Sequence, residues 1–291
     1  MNAPLVSVLM PSHGHARWVE EAVRSVMAQE GVSFELLVVD DGSPDGSPEI
    51  LRRLADELGF DLVCRENRGL VPTLNEMLAR ARGKYFCTHA SDDVMPPGRL
   101  KLQTGWLEAH PDKAACFGQV VDMDAEGNLE PGPDPRYLPG IPEVTFEELA
   151  TGRKELHGCS EMIRTEAFRS LGGYDPDFAT EDFAMFCRLS TAFGPLPVLP
   201  DAVCFYRLHG GGFHLDSAAI YSATIAAVRK YAKDPEFAER AAAIWKSHWF
   251  SALAYRDKRE ALRMLPKLAT LSPAFLGRFP KLFVPKFLLR R

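Results

Sequence analysis

Residues 34–47 read FELLVVDDGSPDGS, an apolar run that ends in a turn of Asp, Gly, Ser and Pro. The run at 34–40 shows little polar alternation, which is typical of a strand buried on both faces of a sheet. Strand-like runs also stand at 5–10 (LVSVLM) and 84–90 (KYFCTHA), with helical stretches of about 10 to 15 residues in between. This alternation predicts an α/β fold, a mainly parallel sheet with helices on both faces.

The same patterns extend along the chain. They predict further strands at 61–65, 114–123 and 202–208, and helices over 17–29, 49–58, 71–82 and 97–110. Residues 124–142 are rich in Gly, Pro and Asp, and a loop of this length is usually functional or mobile. From residue 216 onward the pattern is helical. We therefore expect a Rossmann-like domain over 1–215, which carries the chemistry, and a helical C-terminal region over 216–291.

Composition narrows the class of protein. The 291 residues are 46% hydrophobic and 25% charged, as in ordinary soluble proteins. The sequence holds no apolar stretch long enough to span a bilayer, and the N-terminus lacks the basic start of a signal peptide. Six cysteines are scattered singly, which is typical of reduced thiols and not of disulfides or a zinc site. These features predict a cytoplasmic protein.

Charge is distributed unevenly along the chain. Residues 216–291 carry 15 lysines and arginines against six acidic residues, a net charge of +9, so the remainder carries −14 of the total of −5. An acidic main domain is poorly suited to nucleic acid, and we expect no nucleic-acid partner. The tail FLGRFPKLFVPKFLLRR at 275–291 interleaves five basic residues with apolar ones. It suits peripheral contact with the anionic inner face of a membrane, or packing on the helical region, although two prolines break a continuous helix.

Polar groups follow three of the predicted strands. They are Pro11-Ser12-His13, Asp40-Asp41-Gly42-Ser43 and Ser91-Asp92-Asp93. Parallel strands place such groups along one edge of the sheet, where ligands of these folds bind. Carboxylates at that edge suit Mg²⁺ or Mn²⁺ shared with phosphate oxygens. Each motif taken alone also fits ordinary turn and helix-cap chemistry.

Several nucleotide-binding and hydrolase motifs are missing from the sequence. There is no GxxxxGK[ST], no GxGxxG after the first strand, no GxSxG and no HExxH. Nucleotide binding would therefore depend on carboxylates and a metal ion instead of a glycine-rich phosphate cradle.

Five blocks, in order, resemble the family 2 glycosyltransferases of the GT-A fold. They include VSVLMPSHG at 6–14, the segment at 34–47, ENRGL at 66–70, GKYFCTHASDDVMPPGRL at 83–100, and LGGYDPDF at 171–178 followed by TEDFAMFCRLS at 180–190. The resemblance covers residues 5 to about 210. It implies inverting transfer of a sugar from a nucleoside diphosphate, with a UDP-sugar favoured, to an acceptor hydroxyl. Contact of the basic tail with a membrane would favour a glycan or lipid-linked acceptor, as in cell-surface polysaccharide or glycolipid assembly.

The resemblance also implies roles for donor-binding residues. Those that match the nucleotide-sugar pocket are Pro11, Ser12, Asp41, Asn67, Arg68, Gly69 and Asp92. Asp41 would face the base, and Asp92 would contact the ribose or the ion. Asp93 would be the direct ligand of a divalent Mn²⁺ or Mg²⁺ ion, and His209 would approach that ion or the diphosphate. Ser91 departs from the full acidic motif, because some members of the family carry a third acid there.

On the acceptor side the resemblance points to a Glu-Asp pair that opens a helix. It implies that Asp182 takes the proton of the attacking hydroxyl, with Glu181 and His157 on the acceptor side. A carboxylate in this role assists by about 10²- to 10⁴-fold. The same Thr180-Glu181-Asp182 segment also fits a simple helix cap, because acids are favoured at a helix N-terminus.

Two other functions remain open from the sequence. A nucleotidyltransferase acting on a sugar phosphate also presents acids on a Rossmann-like sheet, but PSHGHARWV at 11–19 is a poor match to the Gly-rich, basic signature such enzymes carry. A non-catalytic nucleotide- or carbohydrate-binding module of the same fold is the other alternative. The presence of both Asp93 and Asp182 argues against that module.

Overall fold

The computed structural model describes residues 3–129, 142–178, 180–209 and 217–256. The predicted tail at 275–291 and the glycines at 210–212 lie outside the described residues, as does most of the predicted loop at 124–142. The chain forms two compact units, one of Met1–Thr145 with Leu156–Gly210 and one of Phe146–Glu155 with Gly211–Arg291. The helical unit thus includes residues 146–155, which the sequence pattern assigns to the α/β domain.

The first unit alternates strands and helices through its first half, as the sequence predicts. In chain order its elements are β1 (Val6–Ser12), α1 (Val19–Met27), β2 (Phe34–Asp41), α2 (Ser47–Leu58), β3 (Asp61–Arg65), α3 (Leu70–Arg80), β4 (Tyr85–Thr88), α4 (Arg99–Ala109), β5 (Ala115–Met123) and β6 (Glu143–Val144). After α5 (Phe146–Ala150), which belongs to the second unit, come a 3₁₀ turn (Gly158–Ser160), β7 (Met162–Arg164), α6 (Thr165–Ser170), α7 (Asp182–Phe193) and β8 (Leu196–Arg207).

Within the residues that the structure describes, eight strands form one mixed sheet in the order β3-β2-β1-β4-β7-β5-β8-β6. The pairs β3–β2, β2–β1, β1–β4 and β5–β8 are parallel. The short strand β7 is antiparallel to both β4 and β5, and β6 is antiparallel to β8. The predicted mainly parallel α/β sheet is therefore confirmed, with two short antiparallel strands that the sequence pattern does not reveal.

The core lies on both faces of the sheet because its central strands are apolar on both sides. On one face Val6, Val8 and Met10 of β1 join a buried cluster with the α1 residues Val19 and Val23. These two helical residues are four positions apart and so lie on the same face of α1. Between the strand residues, Leu9 points to the opposite face and is also fully buried.

The second unit is helical. It comprises α5 (Phe146–Ala150), α8 (Ser217–Tyr231) and α9 (Pro235–Arg256). Trp245 Nε1 donates to the main-chain oxygen of Ala150 at 2.8 Å, Trp249 stacks on Tyr221, and Phe250 is fully buried. These aromatic side chains pack within the helical unit. Over the part of the chain that the structure describes, we find no helix with the length and apolar character needed to cross a bilayer.

Candidate active site at the carboxyl edge of the sheet

The parallel strands β1, β2 and β4 bring their C-terminal ends to one edge of the sheet. Ser12 of β1 is in register with Asp40 of β2, and β4 leads directly into the segment 89–93. The polar groups predicted from sequence at these three strand ends are therefore neighbours along that edge, as expected for a parallel sheet.

Asp41, at the end of β2, anchors the turn at 67–69. Its Oδ1 accepts the main-chain N–H of Arg68 at 2.9 Å, and its Oδ2 accepts that of Gly69 at 2.8 Å. The Arg65 guanidinium also donates to Oδ1. Asn67 is exposed, and its side-chain oxygen accepts from the Gly69 N–H at 3.1 Å. The structure therefore brings Asp41 together with Asn67, Arg68 and Gly69, and it engages both Asp41 oxygens within the protein.

Gly42 allows this turn to approach the sheet. Its φ is +78°, and a Cβ at this position would lie 2.7 Å from the main-chain nitrogen of Asn67. A side chain would therefore both strain the backbone and push the Asn67 turn away. This glycine keeps the Asp41 carboxylate within reach of the turn.

The side chains of Ser12 and Asp40 differ in whether they have hydrogen-bond partners. Asp40 accepts from the main-chain N–H of Ser43 at 3.0 Å and from its hydroxyl at 2.6 Å, which closes the turn after β2. The Ser12 hydroxyl is buried, and among the described residues it has no hydrogen-bond partner. Buried hydroxyls are normally paired, so an unpaired one at a site edge is a candidate for pairing with a ligand. Pro11, one residue earlier in β1, is half-buried.

The Asp92 carboxylate lies between two imidazoles. Its Oδ2 is 2.9 Å from Nε2 of His209, which follows β8, and its Oδ1 is 3.6 Å from Nδ1 of His15, which follows β1. One ligand atom from each of the three residues lies within 4.8 Å of the other two. His15 Nδ1 is also 2.8 Å from the hydroxyl of Ser91. Carboxylate and imidazole groups at such spacing fit a divalent transition-metal ion.

Burial affects the pKa of His15 in this cluster, and Trp18 packs against His209. Burial lowers the pKa of His15, and the Asp92 charge opposes that shift in part. The Trp18 ring packs against the His209 imidazole, with their centroids 4.4 Å apart. Trp18 Nε1 in turn donates to the main-chain oxygen of Ala125 at 3.1 Å. His15 and Trp18 were not among the predicted site residues; the available signal was a second histidine in the turn PSHGH.

Asp93 points away from this cluster into the protein. It is 1% exposed, and its Oδ1 accepts the main-chain N–H of Arg207 at 2.9 Å. The Cys204 thiol lies 3.6 Å from its Oδ2. Burial, together with the neighbouring Asp92 charge, raises the pKa of Asp93 to about 8. The sequence interpretation made Asp93 the direct metal ligand and Asp92 its neighbour. In the structure Asp92, and not Asp93, contacts His209, whereas Asp93 lies with Cys159 and Cys204 in a second group whose ligand atoms are within 4.8 Å of one another.

The acceptor-side residues meet at the start of α7. Asp182 is the first residue of the helix, and its Oδ1 accepts the main-chain N–H of Phe183 at 2.6 Å. The turn after His157 packs against it, since a Cβ at Gly158 would lie 3.0 Å from the Asp182 Cβ. Burial raises the pKa of Asp182, and His157 partly counteracts this; burial and Asp182 raise the pKa of Glu181 to about 8. The structure thus brings all three predicted acceptor-side residues together.

A buried acid just before β7 was not predicted. Glu161 is fully buried, and its Oε1 accepts the main-chain N–H of Thr88 at 2.7 Å, at the end of β4. The Arg99 guanidinium, also buried, donates to the main-chain oxygen of Glu161 at 3.0 Å. Burial raises the pKa of Glu161 to about 7, although Arg99 opposes the shift. Glu161 therefore ties the turn of Gly158–Ser160 to the β4 end.

Comparison with known protein families gives one matching family. The model of Glycosyl transferase family 2 matches residues 7–172, more than half of the chain. A Rickettsia prowazekii protein named as an uncharacterized glycosyltransferase, RP339, is 28% identical over 198 residues, which is 66% of this chain and 61% of the relative. The succinoglycan biosynthesis protein ExoO of Rhizobium meliloti is 26% identical over 251 residues, 79% of this chain and 70% of ExoO. The chain spans about 61% of the length of the first curated relatives it matches.

Two solved structures share the fold. S. aureus TarS 1-349 in complex with UDP-GlcNAc has a TM-score of 0.69 at 17% identity, and covers 95% of this chain and 81% of its own. The mannosyltransferase PcManGT of Pyrobaculum calidifontis, in complex with GDP-Man and Mn²⁺, has a TM-score of 0.61 at 20% identity, and covers 100% of this chain and 89% of its own. At these identities the likeness shows a common architecture.

Proposed function

The chain belongs to glycosyl transferase family 2, and from that premise we propose that it is an inverting, metal-dependent glycosyltransferase. It moves a sugar from a nucleoside diphosphate, with UDP favoured, to a hydroxyl of an acceptor. The observation that carries this proposal is the contact of Asp92 with His209 at 2.9 Å, beside the turn that Asp41 anchors. The sugar nucleotides bound to TarS and PcManGT support a donor of this class.

Donor binding is assigned to the ends of β1 and β2. The exposed Asn67 and the main chain of Arg68 and Gly69 form one wall for the base and ribose, held by Asp41. The buried hydroxyl of Ser12 and the half-buried Pro11 are assigned to the same donor-binding role. The unpaired Ser12 hydroxyl gains a partner when the nucleoside binds, which favours binding because a buried polar group is costly to leave unpaired.

Asp92 and His209 are assigned to the divalent ion, Mn²⁺ or Mg²⁺. The Asp92 carboxylate fits either ion, the His209 imidazole fits a transition-metal ion, and their ligand atoms already face one another. The Mn²⁺ in the PcManGT complex supports this assignment. When bound, the ion supplies Lewis-acid stabilisation of the departing diphosphate, an effect worth several kcal/mol.

Asp182 is assigned the role of base. Its position at the N-terminus of α7 suits an ionised carboxylate, and its burial raises its pKa and hence its affinity for a proton. Asp182 takes the hydroxyl proton of the acceptor as oxygen attacks the anomeric carbon, while Glu181 and His157 line the acceptor side. A single displacement of this kind inverts the configuration of the anomeric carbon.

We place the acceptor among glycans or lipid-linked glycans used in polysaccharide assembly. The name of ExoO, a succinoglycan biosynthesis protein, supports this substrate class. A cytoplasmic protein whose basic tail at 275–291 contacts the inner face of the membrane would meet such an acceptor where it is anchored.

The test is nucleotide release from UDP-, GDP-, CMP- and dTDP-sugars, with and without Mn²⁺, in the presence of a glycan acceptor mixture. We expect one donor to be turned over by the wild type, with loss of turnover in Asp92→Asn and Asp182→Asn. Donor binding should persist in Asp182→Asn. Turnover that is indifferent to both substitutions would overturn the proposal, and sugar-nucleotide binding without any turnover would favour a non-catalytic module instead.

A further inference from the structure

His15 occupies a position that the roles assigned above do not use. It lies in the turn after β1, more than 75 residues from Asp92 in sequence, yet its Nδ1 is 3.6 Å from Oδ1 of Asp92. The opposite oxygen, Oδ2, contacts His209. Each oxygen of one carboxylate therefore faces an imidazole from a different element of the sheet edge.

We propose that His15 is a protein ligand of the divalent ion together with Asp92 and His209, and that this set makes the site select transition-metal ions over Mg²⁺. The inference rests on the proposed function, because it assigns a third ligand to the same ion. The proposed ligand is the second of the two histidines in the turn PSHGH at 11–15.

The spacing of the ligand atoms supports a shared ion. Imidazole and carboxylate ligands lie about 2.0 to 2.2 Å from a first-row metal ion, so two ligands of one ion are at most about 4.4 Å apart. The three ligand atoms here are all within 4.8 Å of one another. A side-chain movement of a few tenths of an ångström would therefore suffice to bring all three onto one ion.

Ligand chemistry then decides which ion is preferred. Carboxylate and water ligands suit Mg²⁺, whereas imidazole suits zinc, copper, iron and nickel, and affinities for nitrogen-containing sites rise from Mn²⁺ through Co²⁺ and Ni²⁺. Two imidazoles and one carboxylate thus favour transition metals much more than a pair of carboxylates would. Trp18 lies beside both imidazoles, since the centroid of its ring is 4.4 Å from that of His209 and 6.1 Å from that of His15.

Metal titrations of the 291-residue chain, without nucleotide, test the inference. Calorimetry with Mn²⁺, Co²⁺ and Mg²⁺ would be carried out on the wild type and on His15→Asn, which retains an amide able to bond Ser91. His13→Asn is the matched control, because His13 is an exposed histidine in the same turn. We expect His15→Asn to raise the Kd for Co²⁺ and Mn²⁺ at least about tenfold, with a much smaller change for Mg²⁺. His13→Asn should match the wild type.

A spectroscopic readout counts the imidazoles directly. Pulsed electron paramagnetic resonance of the Mn²⁺-loaded protein should detect nitrogen couplings from two bound imidazoles in the wild type and from one in either His15→Asn or His209→Asn. Unchanged couplings and affinity in His15→Asn, with loss in His209→Asn, would overturn the inference and leave the proposed function intact. Weakened binding of UDP alone, with metal binding unchanged, would reassign His15 to the diphosphate and likewise overturn it. Failure of the wild type to bind any of the three ions would instead contradict the proposed metal dependence.

Discussion

The main-chain N–H of Arg207 donates to Oδ1 of Asp93 at 2.9 Å, and the Arg207 side chain donates from Nε to the main-chain oxygen of Asp92 at 2.7 Å. The last residue of β8 thereby fixes both members of the acidic pair. It holds the Asp93 carboxylate inside the protein and leaves the Asp92 carboxylate directed at His209. The Arg207 guanidinium is itself anchored to Glu21 at 2.6 Å.

Substitution by alanine should therefore affect different properties at the two adjacent aspartates, stability at Asp93 and Mn²⁺ binding at Asp92. Asp93→Ala leaves the buried Arg207 N–H without its acceptor, and we expect the free energy of unfolding to fall by about 1–3 kcal/mol. Asp92→Ala should abolish Mn²⁺ binding and cost less stability than Asp93→Ala, because the Asp92 side chain is partly exposed and faces the histidines. Urea denaturation and Mn²⁺ calorimetry measure the two effects.

Asp93→Asn is the control for this comparison. An asparagine keeps an oxygen for the Arg207 N–H, and it resembles the protonated acid that a pKa of about 8 favours at neutral pH. This variant should fold normally and bind Mn²⁺. Loss of Mn²⁺ binding in Asp93→Asn, with binding retained in Asp92→Ala, would restore Asp93 as the ligand.

The fold was predictable where strands are long and apolar. The strands β1, β2 and β4 lie within two residues of the positions expected from their sequence runs. The strand β8 begins at Leu196, six residues before the predicted start, because Pro197 and Pro200 weaken the strand pattern there. The three residues of β7 are too few to show any period, and their position depends on pairing with β4 and β5.

The site was predictable at the level of strand ends, and less so at the level of individual side chains. The proposed placing of Asp41, Asp92 and Asp182 at the candidate site follows from strand ends and family blocks. Which of the two adjacent acids lies beside His209 depends on Arg207, more than 110 residues away, and no local pattern encodes it. The proposed role of His15 likewise depends on its proximity to Asp92, which only the folded sheet brings about.

The pH dependence of turnover should reflect the ionisation of Asp182, and His157 should influence the pH at which that ionisation occurs. A base must be ionised, so kcat/KM should fall as pH drops through the pKa of Asp182, which burial raises above the usual value and His157 lowers. His157→Ala removes the lowering effect, and we expect the acid limb of the profile to move to higher pH. Asp182→Asn should reduce turnover by about 10²- to 10⁴-fold across the range.

The exposed His13 provides the control for this profile. His13→Ala removes a histidine of the β1 turn and should leave the acid limb where it is in the wild type. A shift of the limb to lower pH in His157→Ala would contradict the assignment, as would an identical shift in His13→Ala.

Stability should depend on pH through the buried Glu161. Burial raises its folded-state pKa from 4.5 to about 7, so the folded protein holds a proton that the unfolded chain releases between these values. This contribution to stability is complete below pH 4.5 and is lost as pH rises to about 7, by on the order of 3 kcal/mol. Glu161→Gln retains an oxygen that accepts from the Thr88 N–H. Because glutamine does not ionise, this variant should not lose stability as pH rises. Its free energy of unfolding should exceed that of the wild type by less than about 1 kcal/mol at pH 5 and by about 3 kcal/mol at pH 8.

Urea denaturation at the two pH values measures this difference, with Glu166→Gln as control. Glu166 is an exposed acid on α6, paired with Arg169, and its substitution should give the same small change at both values. An equal effect of Glu161→Gln at pH 5 and pH 8 would show that Glu161 does not change its charge between them.

Two glycines should respond in opposite ways to alanine. Gly83 precedes β4, and a Cβ there would lie 2.5 Å from the main-chain nitrogen of Ser7 and 2.6 Å from the main-chain oxygen of Tyr85. Since both atoms belong to paired strands, the backbone must shift, and we expect Gly83→Ala to cost about 1–3 kcal/mol or more. Gly105 is exposed within α4, and a Cβ there would meet no atom within 4 Å, so Gly105→Ala should stabilise by about 0.5–1 kcal/mol. Urea denaturation of both variants at one pH checks the pair. A Gly83→Ala variant as stable as the wild type would mean that β1 and β4 can separate here without loss, which is contrary to the register that joins Val6 to Tyr85.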